Sequence, residues 1–370
     1  LTFGGSMSYY NSPHWGTISW VDGVEDVGGK WYDNDVVKWD GNAFVRADWT
    51  MFRGFVDNSL HLFGDLQYRY VSYRARGTND NAVWGDDGSV TMQPIDVDKQ
   101  YDFFNPRLGI SYIHHNHNVF ASVAVAHREP TRSDFTDRHM FAADDSYPEP
   151  ERLVDFELGY TYTSPRLSLG VNLYYMLYHN QLVATGMVND GDDALNVNVD
   201  KSYRRGVELM AKWKTTKWLT LSGNVTLSQN KIEDYVDELR DSPTYGQNLG
   251  DMTISYSPSV VGSVSADFHV KGFNLVWNTQ YVGKQYFTNN EIEALSLDAY
   301  CVTNLDLGYT YQMGGSRTVR FGVAINNLFS TLYESNGYGY SYMWDGERYD
   351  EAFYFPQAPI NVLANVTVNF

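Results

Sequence analysis

The last ten residues of the chain, Asn-Val-Leu-Ala-Asn-Val-Thr-Val-Asn-Phe over 361–370, alternate along their length between two kinds of side chain. One set is entirely apolar and comprises Val362, Ala364, Val366, Val368 and Phe370. The other set is largely polar and comprises Leu363, Asn365, Thr367 and Asn369. Because successive side chains of a strand point to opposite faces, this pattern predicts a strand with one apolar face and one mostly polar face.

The same alternation recurs along the whole chain, and counting each such segment gives about 14 strands. They are predicted at 2–10, 43–52, 60–75, 102–113, 118–128, 152–163, 166–181, 198–213, 218–229, 257–269, 273–286, 300–312, 317–328 and 360–370. Crossing a lipid bilayer at a tilt takes about 9–11 residues per strand, and most of these segments reach that length. The pattern therefore favours strands that span a membrane.

The connections between these segments alternate strictly in length. Short turns fall near 53–59, 114–117, 164–165, 214–217, 270–272 and 313–316. Long connections fall near 11–42, 76–101, 129–151, 182–197, 230–256, 287–299 and 329–359. Short turns at one end and long loops at the other are typical of outer-membrane barrels. A non-helical chain can cross hydrocarbon only as a closed barrel, because hydrocarbon offers no partners for unpaired backbone groups. We expect an all-β, transmembrane antiparallel β-barrel.

The composition agrees with this class. Aromatic residues make up 16% of the 370 residues and 29 of them are tyrosines, whose rings suit a boundary between oil and water. We expect girdle tyrosines at the strand ends, among them Tyr68, Tyr73, Tyr160, Tyr175 and Tyr311. The net charge of −18 argues against nucleic acid as a partner. No run of roughly 18 apolar residues is present for a transmembrane helix, and Leu1 does not open a signal peptide.

Several segments resemble TonB-dependent outer-membrane receptors. The stretch VFASVAVAHREPTRSDFTD (119–137) is similar to the family's "YASFA…FRAP" region, and PEPERLVDFELGYTY (148–162) to its "PE…E-GY" region. The strands at 168–182 and 202–213 resemble two further family strands. Near the end, FGVAINNLFSTLYESNGY (321–338) resembles the "NNLF…Y" signature, which is the most specific of these. The resemblance is closest to the iron-complex branch.

That family builds a barrel of about 22 strands whose lumen is closed by an N-terminal plug. The resemblance implies that residues 1–370 are the C-terminal portion of such a barrel, that the plug and the TonB box are not in this chain, and that Leu1 lies partway round the barrel. It implies location in the outer membrane of a Gram-negative bacterium, among its lipids. It also implies uptake driven by the TonB–ExbB–ExbD system through the plug, with no cofactor.

The expected substrate is an iron–siderophore or haem complex, with cobalamin next. A surface lipoprotein partner is compatible with the family. Three other interpretations stay open at this level: an intact 14-strand passive channel, a porin of another kind, and a structural or adhesive barrel. The sequence shows no GxSxG, HExxH, CxxC or P-loop motif, so we expect no enzyme activity.

Candidate ligand contacts lie in the long connections. The last of these holds Tyr338, Tyr340, Tyr342 and Trp344, a rigid aromatic cluster that suits stacking on a planar chelate or holding a partner protein, or else simple packing between loops. Earlier loops offer Trp31, Tyr32 and Trp84, which carry the same two interpretations. Tyr147 stands at a position where the family has an asparagine.

His139 occupies the interval in which haem receptors of this family place an iron ligand, although a solvated loop histidine is the commoner role. Acidic runs could bind Ca²⁺ but lack the EF-hand spacing, so we expect solvated carboxylates. They comprise Asp86-Asp87, Asp144-Asp145, Glu149, Glu151, Asp190 and Asp192-Asp193. For Asn326-Asn327 of the family signature, we expect a role in the geometry of the strand end.

Overall fold

The computed structural model describes residues 1–20, 22, 29–51, 58–84, 89–136, 147–188, 194–238 and 243–370, without the side chains of residues 81, 82, 84, 187, 188 and 194. Its elements in chain order are β1 Thr2–Thr17, β2 Lys30–Thr50, β3 Asn58–Trp84, β4 Val90–His114, β5 His117–Arg128, α1 Arg132–Thr136, β6 Glu151–Thr163, β7 Leu167–Val188, β8 Ala194–Lys214, β9 Leu219–Ile232, β10 Met252–Thr253, β11 Val260–Val270, β12 Phe273–Val282, β13 Gln285–Tyr286, β14 Ser296–Leu297, β15 Tyr300–Gly314, β16 Arg317–Asn326, β17 Glu334–Trp344, β18 Glu347–Pro356 and β19 Asn361–Asn369. Among the described residues, no helix has the length and apolarity needed to cross a membrane.

One large antiparallel sheet contains 14 strands in chain order, β1 to β9, β11, β12, β15, β16 and β19, with β10 beside β9. The predicted all-β architecture and strand count are confirmed. Because each of these strands runs antiparallel to the one before it, every long connection leaves from the same end of the sheet, as predicted. We call this the long-connection end, and the opposite one the short-turn end. Among the described strands, β1 and β19 each pair with one neighbour and not with each other.

The register sorts side chains onto two faces. One continuous row across six strands reads Trp49, Leu62, Ile110, Ala121, Leu158 and Leu173. The next row on the opposite face includes Ser122, Glu157 and Tyr174. At β19, Val366 aligns with Phe321 and Val368 with Val319, which places the terminal alternation on the same two faces. We call them the apolar face and the polar face.

The predicted connections were wrong at four places, one of which, 329–359, holds the separate hairpin β17–β18. Connections predicted at 11–42, 76–101 and 182–197 are mostly strand, because β1 to β4, β7 and β8 continue well past the expected ends. β3 alone has 27 residues. In β3 and β4 the buried apolar residues of these extensions, such as Val71, Ala75 and Val97, lie on the polar face, so the alternation changes phase within the strand and one continuous pattern does not cover its full length.

The connections at the long-connection end pack into small cores of their own. One core joins β2, β3, β4 and α1, where the ring of Phe135 stacks on that of Tyr73 at 5.1 Å. Tyr73 is therefore buried, and its assignment to an exposed girdle was wrong, whereas Tyr68, Tyr160, Tyr175 and Tyr311 are exposed. A second core gathers Val183, Val199, Ile232, Tyr235 and Ile254, and a third gathers Phe287, Leu295 and Leu297. These cores hold the connections in fixed positions.

Candidate ligand-binding site

The second and third cores are joined through Asn289, whose side chain is 0% exposed. Its Nδ2 donates to the carbonyl oxygen of Ala184 at 2.6 Å, and its Oδ1 accepts from the amide of Ser255 at 2.8 Å. Nearby, Glu291 accepts from the amide of Thr253 at 2.8 Å and from Nζ of Lys231 at 2.9 Å. Three separate connections therefore form one packed body at the long-connection end.

The last long connection is a β-hairpin, β17–β18, which we call the aromatic hairpin (residues 334–356). It turns at Asp345-Gly346, both with positive φ, as a tight hairpin turn requires. One of its faces carries Gly337 and Gly339. A Cβ on Gly339 would lie 2.9 Å from Leu295 and 3.0 Å from Phe287, so these glycines let the hairpin pack closely on the third core.

The opposite face of the aromatic hairpin is open to solvent. Tyr338 pairs across the strands with Phe353, and their rings stack at 4.9 Å. Tyr342 pairs with Tyr349, with ring centroids 5.5 Å apart. Tyr338 remains 46% exposed and Trp344, beside the turn, 69% exposed. The result is a rigid platform of aromatic rings on which a flat or apolar ligand could stack.

A carboxylate lies within this platform. Glu351 accepts hydrogen bonds from the hydroxyl groups of Tyr340, at 3.1 Å, and Tyr342, at 2.8 Å. The bond to Glu351 raises the pKa of Tyr342, which keeps that phenol protonated. The platform is thus apolar over its rings and negatively charged at its centre.

The polar face carries a second candidate region nearer the middle of the sheet. Here Glu157, Asn172, Arg204 and Glu208 line a cavity of about 380 Å³. Asn172 donates to Glu208 at 3.2 Å, while its own Oδ1 is buried without a hydrogen-bond partner. Within the described part of the chain, neither glutamate forms an ion pair. Half-buried carboxylates favour a positive partner. This cavity therefore suits a basic group from outside the described part of the chain.

The segment that follows β5 is fixed by a network of charges. Glu129 is buried and receives both terminal nitrogens of Arg69 at 2.8 Å and Nζ of Lys38 at 2.6 Å. Arg69 also makes a two-point contact with Asp40, at 3.0 and 2.6 Å. Two cations thus balance two anions, and this neutral network attaches the segment before α1 to β2 and β3.

The structure places the predicted site residues in different surroundings. Tyr338, Tyr340, Tyr342 and Trp344 share one face of the aromatic hairpin. Trp31 and Tyr32 lie on the β1–β2 hairpin, where the ring of Tyr32 covers Gly16. Trp84 pairs through its backbone with Val90 on the β3–β4 hairpin, and its side chain lies outside the described residues. His139 also lies outside them.

Tyr147 is held by the first core. Its hydroxyl donates to the carbonyl of Asp96 at 2.8 Å, and its ring meets Phe135 edge-on at 6.0 Å. Nζ of Lys99 lies 5.0 Å from the same ring. Its contact with a ligand stays a prediction, and its visible role is packing.

Two other expectations have clear outcomes. Glu151 is not solvated, because it is buried, forms an ion pair with Arg128 at 2.8 Å and accepts the amide of Leu182 at 2.6 Å. The other acidic runs lie outside the described residues, except Glu149. Asn327 has the structural role expected of it, since its positive-φ backbone ends β16 and its side chain bonds to Thr331 and to Ala358.

Sequence reasoning missed the aromatic residues of β18. Tyr349, Phe353 and Phe355 complete the platform, but their segment reads as part of a long loop until the Asp-Gly turn is recognised as a hairpin. The Asp-Gly pair between two aromatic-rich runs was the signal that could have found them.

Comparison with known proteins assigns this architecture to a family. The family "TonB dependent receptor-like, beta-barrel" matches residues 1–328. This chain belongs to that family. Among solved structures, it is similar to the ferric-catecholate import receptor Fiu of E. coli K12 in its closed form, with 16% identity and a TM-score of 0.64 over 99% of this chain and 51% of that one. The ferric yersiniabactin uptake receptor FyuA of Yersinia pestis matches with 16% identity and a TM-score of 0.66, over 100% of this chain and 51% of that one. The FrpB iron transporter of Neisseria meningitidis (F3-3 variant) matches with 16% identity and a TM-score of 0.57, over 90% of this chain and 45% of that one.

At this level of identity the structural likeness shows the fold, which is that of the barrel. The chain spans about half the length of the solved structures it matches. The family is one of receptors and not of enzymes, in agreement with the expectation from sequence.

Proposed function

We propose that this chain is the C-terminal portion of a TonB-dependent transporter that takes up an iron complex across the outer membrane of a Gram-negative bacterium. The observation that carries the proposal is the position of the long connections and the aromatic platform at the same end of the sheet. All long connections leave from one end, where three of them form a packed body beside an exposed aromatic platform, and the polar face of the sheet leads away from it. A capture surface above a polar passage suits an uptake receptor.

The lumen wall supports coupling to a plug. In a barrel with its apolar face in lipid, the polar face lines the interior. Glu157 and Glu208 would then point at the plug domain, and basic plug residues would supply the positive partners that these carboxylates favour. Movement of the plug, driven by the TonB–ExbB–ExbD system, would break those contacts during transport.

An iron–siderophore complex is the substrate that the platform suits best. Stacked rings such as Tyr338 and Phe353 offer flat apolar surface to an aromatic chelate, and the solved structures named above are receptors or transporters of iron or its complexes. Haem would be bound through His139, and cobalamin is a further candidate. A surface lipoprotein could cover the same end in a receptor for a larger nutrient.

A passive 14-strand channel is disfavoured, because β1 and β19 do not pair with each other among the described residues and the sheet is therefore open. Such a channel would require these two strands to close the barrel directly. Closure through strands contributed by the rest of the receptor agrees with the family assignment.

Uptake by cells tests the proposal. The full-length receptor is expressed in a strain without other iron receptors, and uptake of labelled ferric catecholate, ferric citrate, haem and cobalamin is measured with and without TonB. We expect TonB-dependent uptake of one iron chelate. Equal uptake without TonB would support a passive channel, and no uptake of any of these ligands would point to a structural barrel.

Two variants separate capture from coupling. Replacing Tyr338 and Tyr342 by alanine should weaken ligand binding to cells that lack TonB, where transport does not contribute. Replacing Glu157 and Glu208 by glutamine should leave that binding unchanged and lower the rate of uptake. The reverse pattern would contradict the roles assigned here.

A further inference from the structure

The described turns at the short-turn end of the sheet carry lysine and arginine in a strongly acidic protein. The structure describes five of its turns, which are residues 115–116, 164–166, 215–218, 271–272 and 315–316. These turns and the strand residues beside them contain His114, His115, His117, Arg166, Lys214, Lys217, Lys271 and Arg317. They contain no aspartate or glutamate, although the chain as a whole has a net charge of −18.

Three of the arginine and lysine residues lie in two neighbouring turns. The amide of Lys214 donates to the carbonyl of Arg166 at 2.8 Å, which brings the turn after β6 beside the turn after β8. Arg166, Lys214 and Lys217 are all exposed. None of the three forms an ion pair within the described ranges, so their charges are available to a partner from outside the chain.

Two tryptophans adjoin this group at the edge of the apolar face. Trp213 aligns with Leu167 on one side and Leu221 on the other, and 52% of it is exposed. Trp218 is 45% exposed and meets Phe268 edge-on at 5.1 Å. Tryptophan favours the level at which hydrocarbon gives way to lipid headgroups.

We propose that Arg166, Lys214 and Lys217, together with Trp213 and Trp218, form a binding site for the phosphate headgroups of anionic phospholipids. We call these five residues the basic rim. Cations beside an anionic leaflet attract its headgroups, and the two indole rings fix the depth at which those charges lie. The continuity of the rim with the apolar face favours a lipid over a soluble polyanion such as a cell-wall fragment. The site requires the sheet to lie in a lipid layer and is independent of which nutrient is transported.

Competition between lipids tests the site directly. The purified full-length receptor is mixed in detergent with equimolar phosphatidylglycerol and phosphatidylcholine of identical acyl chains, and the bound lipids are counted by native mass spectrometry. We expect the wild type to prefer phosphatidylglycerol. A single lysine or arginine near an anionic surface contributes roughly fivefold in affinity, so the triple variant Arg166→Gln/Lys214→Gln/Lys217→Gln should lower the ratio of bound lipids by at least about fivefold.

A matched variant controls for the change in net charge. Arg76→Gln/Lys201→Gln/Lys284→Gln removes three cations near the long-connection end and should leave the ratio unchanged, provided that both variants keep the wild-type shift on an unheated gel. Equal lipid binding by the wild type, or an equal loss in both variants, would overturn the proposal. Retention on purified peptidoglycan that is lost only in the first variant, without lipid preference, would assign the rim to the cell wall instead.

Discussion

At the scale of single residues, Gly339 allows one face of the aromatic hairpin to pack on the third core, which leaves the opposite, aromatic face exposed to solvent. A methyl group at this position would lie 2.8 Å from the backbone oxygen of Glu351 and 2.9 Å from Leu295. We expect Gly339→Ala to destabilise the docked hairpin by about 1–3 kcal/mol, because a crowded contact forces its neighbours to shift. Hydrogen exchange should then accelerate in residues 334–356 and not in β19.

Tyr338→Phe provides the control for this prediction. It removes a hydroxyl from the exposed face and leaves both the stacked ring and the glycine face in place, so exchange in the hairpin should stay slow. Unchanged exchange in Gly339→Ala would show that the hairpin does not depend on this close approach.

The sequence predicted residues well where one physical rule acts alone. The alternation at Val366 and Val368 could be predicted because it follows from a strand with one face in lipid. The structural role of Asn327 could be predicted because it follows from the position of this residue at a strand end. It failed at Glu151 and Tyr73, where burial depends on segments far away in the chain, such as Arg128 for the first and Phe135 for the second. No local pattern contains that information.

At the scale of elements, the contact between Glu291 and the β10 strand should respond to pH. Burial by itself would raise the pKa of Glu291, but hydrogen bonds from Thr253 and Lys231 outweigh it, and the pKa is lowered from its ordinary value of 4.5. A lowered folded-state pKa means that the contact stabilises the fold above pH 4.5 and loses this contribution as the pH falls through the folded value. Protection factors in residues 252–256 and 287–297 should therefore decrease in that acidic range.

Glu291→Gln should abolish this acidic dependence and lower the protection near neutral pH. Glu293→Gln is the matched control, since the side chain of Glu293 is mostly exposed and its carboxylate forms an ion pair with Lys284. If both variants retained the wild-type pH profile, the dependence would have to arise from another carboxyl group.

The number and order of the strands could be predicted from sequence, and their full lengths could not. In the membrane-spanning part, lipid on one face and water on the other impose alternation on every strand. Beyond the lipid layer, Asp96 and Asp98 of β4 alternate with Ile95 and Val97, which pack into the first core on the polar face, so the alternation is reversed in phase. Backbone pairing persists there, but the alternation answers to packing between connections, which depends on residues far away in the chain.

At the scale of the whole molecule, the proposed function requires the apolar face of the sheet to contact lipid and the polar face to line the lumen. Substitutions at two adjacent residues can test this orientation. Leu173 lies on the apolar face, and Asn172 lies on the polar face beside Glu208. Arginine at Leu173 would face hydrocarbon near mid-depth and should cost about 2–4 kcal/mol of folding free energy in a bilayer. Arginine at Asn172 would lie near Glu157 and Glu208, which both favour a cation, and should cost far less. Unfolding of the full-length receptor from lipid vesicles in denaturant measures both variants, and similar losses from the two would mean that the faces do not separate lipid from lumen.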